Sequence, residues 1–214
     1  MVESQEPKRR RRVDGEASRT RILDAATEIA SERGYEGTSI GLVSTKCGLP
    51  ASSIYWHFKD KDDLLAAVIE RSFAQWLSAW EMPVDGTPRE RLIGLAQQVA
   101  KALLDSPDFL RLGLMLALER RPVEPRARAM FISVRAQAFD MLAGTIRALI
   151  PGLTDAQVQR LASYGIAGAD GAFLAQGIDG DSVDLVALFE IHFTAVYDSA
   201  LRMVADNTKA NRPI

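Results

Sequence analysis

The sequence predicts an all-α fold, and three observations carry that prediction. From Ser18 onward, apolar residues recur at the three- and four-residue spacing of a helix face. No stretch alternates apolar and polar residues between turn signals, as a half-buried strand would. Prolines at 83, 88, 107, 122, 125 and 151 cut the chain beyond the fourth helix into segments of helical length. About nine helices are expected.

Taken in order, Ser18 is the expected cap of a first helix whose inner face carries Ile22, Ala25, Ala26, Ile29 and Ala30, with Gly34 stopping it in a left-handed conformation. Thr38 and Ser39 offer caps for a short second helix with Ile40, Val43 and Cys47 inward, ended by Gly48. Pro50 opens a third helix, Ala51 to Phe58. Asp60 opens a fourth, with Asp63 three residues on as a capping-box variant. Its wide apolar face carries Leu64, Leu65, Val68, Ile69, Phe73, Trp76, Leu77 and Trp80. A fifth helix runs from Pro88 to about Asp105. Pro107 opens a sixth through Leu112, Met115 and Leu118, and Pro125 a long seventh carrying Met130, Phe131, Val134, Phe139, Leu142 and Ile146. Thr154 and Gln157 have capping-box spacing for an eighth helix reaching about Gly177. Asp181 or Ser182 caps a ninth, Val183 to about Ala205, and the polar tail from Asp206 is expected to fray.

Composition narrows the function. With 47% hydrophobic and 25% charged residues the chain has a globular balance. Its longest apolar candidate, Leu110 to Leu118, is broken by Arg111 and falls short of the roughly 18 residues of a membrane span. The charged N-terminus lacks the apolar core of a secretory signal, so a cytoplasmic protein without membrane contact is expected. A single cysteine, Cys47, excludes an internal disulfide. It reads as a small apolar residue behind a helix turn, since a redox sensor would lack a partner cysteine. Two histidines and no glycine-rich phosphate loop or nucleophile–base grouping leave neither enzyme, metal nor cofactor expected. His192, among Ile191, Phe193 and Val196, reads as a buried, hydrogen-bonded residue.

Charge is uneven beneath a net −2: residues 1–61 hold 11 Lys/Arg against 9 Asp/Glu, while the rest of the chain is net acidic. Lys8 and the four arginines Arg9, Arg10, Arg11 and Arg12 form one block that self-repels as a solvated arm. Such an arm suits a polyanion or serves as a plain solubilising tail.

Residues 34–61 are the most informative stretch. Two short helices joined at a glycine turn make a helix-turn-helix, whose second helix lies in the major groove of DNA. With Ile54 and Phe58 inward, that helix presents Ala51, Ser52, Ser53, Tyr55, Trp56, His57 and, just beyond it, Lys59. Small residues at its start allow close approach to base edges, and the hydrogen-bonding and cationic groups behind reach phosphates. A core role for the Tyr-Trp pair is the competing reading, but Ile54 and Phe58 already fill the inward face.

The runs Gly34-Tyr35-Glu36-Gly37-Thr38-Ser39, Cys47-Gly48-Leu49 and Ile54-Tyr55-Trp56-His57-Phe58-Lys59-Asp60-Lys61-Asp62-Asp63-Leu64-Leu65 resemble the tetracycline-repressor (TetR) family of bacterial transcriptional regulators. The likeness is close over residues 18–66 and architectural beyond. It implies a basic arm without fixed structure (1–17), a DNA-binding head (18–62), a ligand-binding and dimerising body (63–206) and a flexible tail (207–214). By the same resemblance Ser39, with Thr38 assisting, binds a phosphate, as do Tyr55, His57 and Lys61. Ala51, Ser52, Ser53 and Trp56 face the groove. Gly41 stands where many members carry a base-reading cation, and the Lys8–Arg12 arm is expected to compensate by entering the adjacent minor groove. A homodimer, joined through the last two helices, is expected on a palindromic double-stranded operator.

The resemblance also implies a small-molecule effector, apolar or amphipathic, that releases the DNA. Phe73, Trp76, Trp80, Met115, Phe131 and Phe173 are candidate pocket residues, with Arg111, Glu119, Gln137 and Asp170 as orienting groups; core packing competes for the apolar ones. Gly165, Gly168 and Gly171 each cost about 1 kcal/mol in a helix and call for close helix–helix approach, within one protomer or across a dimer. A repressor is expected. An activator or ligand-independent repressor on the same scaffold is the alternative, with a protein-interaction module or enzyme more remote.

Overall fold

Short polar caps and glycines set the helix boundaries, and a computed structural model describes them for residues 6–118 and 125–210, with side chains from Asp14. The described residues form nine α-helices, one 3-10 turn (Gly180–Ser182) and no strand. The helices are α1 (Glu6–Gly37), α2 (Ile40–Cys47), α3 (Ala51–His57), α4 (Lys61–Leu77), α5 (Pro88–Asp105), α6 (Asp108–Leu118), α7 (Arg126–Leu149), α8 (Asp155–Asp179) and α9 (Leu185–Ala210). Among the described residues, no helix is long and apolar enough to cross a membrane.

Two compact units arise. One lies within Met1–Ala74 and Pro107–Ser133, the other within Gln75–Ser106 and Val134–Ile214. In the first, Ile22, Ala25, Ala26, Ile29 and Ala30 of α1 are all buried, as their spacing predicts, along with Val43, Ile54, Leu64, Leu65 and Ile69. The core of the second unit holds Leu92, Leu95, Val99, Leu142, Ile146, Val158, Leu161, Leu185, Phe189 and Val196.

Several ends differ from expectation. α1 begins at Glu6, not at a Ser18 cap, so residues 6–17 of the expected unstructured arm are helical. The Ser18 hydroxyl donates back to the Asp14 carbonyl (2.8 Å), a bond available only inside a continuing helix. Gly34 has the expected positive φ, but at ψ −171° it lies outside the left-handed helical basin, in a region open essentially to glycine. A further turn of α1 follows it. Pro50 is the N-cap residue of α3 rather than its first helical residue. α4 ends at Leu77, leaving Trp80 beyond it, edge-on to Trp76.

Thr87 and Glu90 form a reciprocal capping box spanning Pro88, the first residue of α5. The backbone and hydroxyl of Thr87 donate to the Glu90 carboxylate and hold its pKa below the ordinary value. Thr154 and Gln157 form the second box, as predicted. α9 is capped by Asp184, which accepts from the Ala187 amide (3.0 Å), in place of Asp181 or Ser182. It runs on to Ala210 because Asn207 is anchored to the Gly152 carbonyl (3.0 Å) and to Gln157.

Candidate nucleic-acid interface

The α1–α2 corner is built by local hydrogen bonds. The Thr38 hydroxyl donates to the Gly34 carbonyl (2.8 Å) and is 1% exposed, so it locks the corner and presents nothing to a phosphate. Ser39 is the cap of α2, its exposed side chain accepting from the Leu42 amide. Gly48 adopts the left-handed conformation (φ 66°, ψ 26°), which turns the chain toward α3 without a Cβ penalty. The Ser44 hydroxyl pins that turn through the Leu49 carbonyl (2.7 Å), and Arg21 reaches from α1 to the Cys47 carbonyl (2.7 Å). Cys47 is buried behind the turn.

With this frame fixed, α3 turns Ile54 and Phe58 inward and leaves Trp56 76% and Tyr55 56% exposed. Ser52 is exposed on the same helix, Ala51, Ser53 and His57 are half-buried, and Lys59 is exposed just beyond. Seven residues thus form one outward surface of small groups at the N-terminal end and hydrogen-bonding or cationic groups at the other. Burial, and secondarily the positive charge of Arg19, lowers the His57 pKa, so the imidazole is neutral at pH 7. Lys61 is partly enclosed: its Nζ donates to the Tyr35 carbonyl (3.1 Å), approaches Glu36 (3.5 Å) and lies 4.4 Å from the Tyr35 ring centroid. A third ammonium donor is all that remains for a phosphate.

Sequence reasoning missed three features here. Arg19 stacks its guanidinium 5.4 Å from the Phe58 ring centroid, placing an exposed cation at the end of α3. Gly15 lies beside the Trp56 indole, so the extended α1 passes α3. Asp62 and Asp63 hold helices together. A charged residue one turn before Ile22 could have flagged Arg19; the other two depend on contacts remote in sequence. The side chains of Arg9, Arg10, Arg11 and Arg12 lie outside the described residues.

The effector candidates divide between the units. In the first, Phe73 is buried against Phe109 (centroids 5.5 Å apart) and Phe131 covers Gly113, both as core. Arg111 is exposed, and Met115 is 51% exposed with its methyl over Gly34, so neither faces an interior. Glu119 lies outside the described residues. In the second unit Trp76 and Phe173 are buried, Trp80 is half-buried and Gln137 is exposed. Asp170 forms a two-pronged pair with Arg135, a partner the sequence did not suggest. The glycine-rich stretch of α8 is explained in part within one chain. Gly168 lies directly under the His192 ring, and a Cβ on Gly165 would sit 2.8 Å from Leu142. A Cβ on Gly171 would meet no neighbour within 4 Å. His192 bonds the Gly165 carbonyl (3.1 Å) as expected, though half-buried.

Residues 22–68 match the family model described as bacterial regulatory proteins, tetR family. The repressor Rv1353c of Mycobacterium tuberculosis is 33% identical over 110 residues, 51% of this chain and 42% of that one. The chain therefore spans less than half the length of the curated relatives it matches first. Among solved structures, SmeT, the repressor of the Stenotrophomonas maltophilia multidrug efflux pump SmeDEF, superposes with TM-score 0.67 at 20% identity, over 87% of this chain and 91% of that one. The Bacillus subtilis regulator FadR in complex with stearoyl-CoA superposes with TM-score 0.65 at 21% identity, over 83% and 96%. At such identities these two likenesses establish the fold.

Proposed function

We propose, from the match of residues 22–68 to the model of the tetR family of bacterial regulatory proteins, that the chain is a cytoplasmic transcriptional regulator acting through binding alone. It binds a palindromic operator as a homodimer. The observation that carries the reading is the α3 surface: Trp56 and Tyr55 stand out in solvent beside Ser52 and Lys59, on a helix whose apolar needs are met by Ile54 and Phe58. A monomeric globular head has no use for that exposure, whereas a groove-inserted helix does.

Ser39, Tyr55, His57, Lys59 and Lys61 are the proposed phosphate contacts, and Ala51, Ser52, Ser53 and Trp56 face base edges. Lys8–Arg12 adds contacts flanking the site. An α-helix is about 10–12 Å across and the minor groove about 6 Å wide, so minor-groove entry would require the arm to unwind locally. Duplexes selected by the full chain from a random-sequence pool test the reading: recovery of a two-fold symmetric motif supports it, and recovery of none opposes it.

Dimerisation through α8 and α9 is supported by apolar side chains left in solvent there, Ile178 at 81% and Ile191 at 66% exposed with Tyr164 and Leu201. Ile191→Asp is expected to weaken self-association about tenfold or more, read by sedimentation, since a carboxylate would be desolvated in the interface. Repression is favoured over activation by the designation of the M. tuberculosis relative. An apolar or amphipathic effector is favoured by the acyl-CoA on FadR. Such a ligand needs about 5.5 kcal/mol of differential affinity to reverse a 99:1 population.

A further inference from the structure

The start of α7 is held from a distant part of the chain. Asp62, in the first turn of α4, accepts from the backbone amides of Arg126 and Ala127 (3.2 Å for the latter), 64 and 65 residues away. The same carboxylate accepts from the Tyr35 hydroxyl at the end of α1 (3.0 Å). A helix N-terminus offers unsatisfied N–H donors and a positive dipole end, so a carboxylate there is both a cap and a charge partner. Asp63 makes the second tie. Its one oxygen accepts from the Lys59 amide at the exit of the recognition helix (3.0 Å), and its other pairs with the Arg126 guanidinium (3.0 Å). Asp60 fixes the Asp63 amide in turn (2.8 Å).

Two adjacent carboxylates therefore bind the exit of α3, the end of α1 and the beginning of α7 to one point. Lys59 and Arg126 hold opposite oxygens of one carboxylate, so a shift of the chain at the exit of α3 turns a group that also fixes α7. We propose that Asp62 and Asp63 are positioning residues that couple DNA occupancy of α3 to the order of the α7 N-terminus. This rests on the DNA-binding reading above. Coupling of this kind is reciprocal: whatever loosens the α7 start weakens the DNA-bound arrangement by the same factor.

Amide hydrogen exchange on the full chain, with and without a saturating selected duplex, tests it. Exchange at Arg126 and Ala127 is expected to slow about fivefold or more on DNA binding, the low end of allosteric couplings. In Asp62→Ala that DNA-dependent slowing disappears while protection of α2 and α3 persists. A purely structural cap would instead lower protection equally with and without DNA. Asp63→Asn, which keeps the α7 cap and weakens the Lys59–Arg126 link, is the second variant, and a partial loss of slowing is expected. Protection of α3 by DNA with no change at Arg126 and Ala127 in the unaltered chain overturns the coupling and leaves DNA binding standing. Unchanged slowing in Asp62→Ala overturns it too. Failure to retain any duplex overturns the DNA reading and, with it, this inference.

Discussion

The α2–α3 segment and the α8–α9 pair both leave large apolar side chains in solvent, yet their backbones are built on opposite lines. The first is fixed by bonds a few residues long: Thr38 to Gly34, Ser39 to Leu42, Ser44 to Leu49. The second is fixed by contacts across dozens of residues: His192 on Gly165, Asn207 on Gly152. Locally determined geometry presents the same surface wherever its motif occurs. Packing determined at long range ties the surface to the rest of its unit. The difference explains why the exposed face of α3 can be read from neighbouring residues and the exposed face of α8 and α9 cannot.

Substitutions can break each side of this contrast separately, and the largest effect is expected at Gly34. Gly34→Ala must adopt φ 67° and place its Cβ 2.8 Å from the Met115 methyl. A loss of about 3 kcal/mol is expected, lowering Tm by roughly 10 °C and weakening DNA binding by misplacing the α2 cap. Arg135→Ala attacks the other side. It strands the Asp170 carboxylate, whose side chain is 17% exposed, at a cost of about 2 kcal/mol in denaturant unfolding. Duplex affinity per folded chain should hold, because no α3 contact is touched.

Tyr55→Phe is gentler, deleting one hydroxyl from the exposed face with no loss of packing. Stability should be unchanged while duplex affinity falls about fivefold, near 1 kcal/mol. The smallest effect sharpens the electrostatics of the same face. In the free protein burial and Arg19 lower the His57 pKa, whereas a phosphate contact would raise it. Proton uptake then accompanies binding, and affinity should rise about two- to threefold as pH falls below about 6.5. His57→Gln should flatten that profile. The sign for folding is opposite: the unfolded chain binds the proton more readily, so His57 contributes stability above the unfolded pKa that is lost as pH falls through the depressed folded one.

Legibility followed the same division. Ser39 and Gly48 could be read because cap and turn residues act on neighbours within a turn, and the buried faces of α1 and α3 because the helix period fixes them. Ser18 misled because serine caps a helix only where its backbone is extended, and α1 was already helical there. Thr38 misled because its hydroxyl could turn either way, and it turned back to Gly34. Met115 shared the spacing of a buried face, but the Gly34 corner gives its methyl a seat at the surface. The Asp62 cap on α7 and the Arg135–Asp170 pair join segments 35 to 65 residues apart, and no periodicity encodes that choice.

The proposed reading of duplex DNA by α3 is the step on which the other duplex-affinity predictions depend. Titration of the full chain against a selected duplex at several salt concentrations, with unrelated duplex as competitor, tests it most directly. Neutralising Z phosphates gives log K a slope near −0.9Z against log salt. Retention against competitor is expected, with a steep slope in the unaltered chain and a slope shallower by about one in Lys59→Gln. Binding that is independent of salt, or lost equally to competitor and selected duplex, would contradict it.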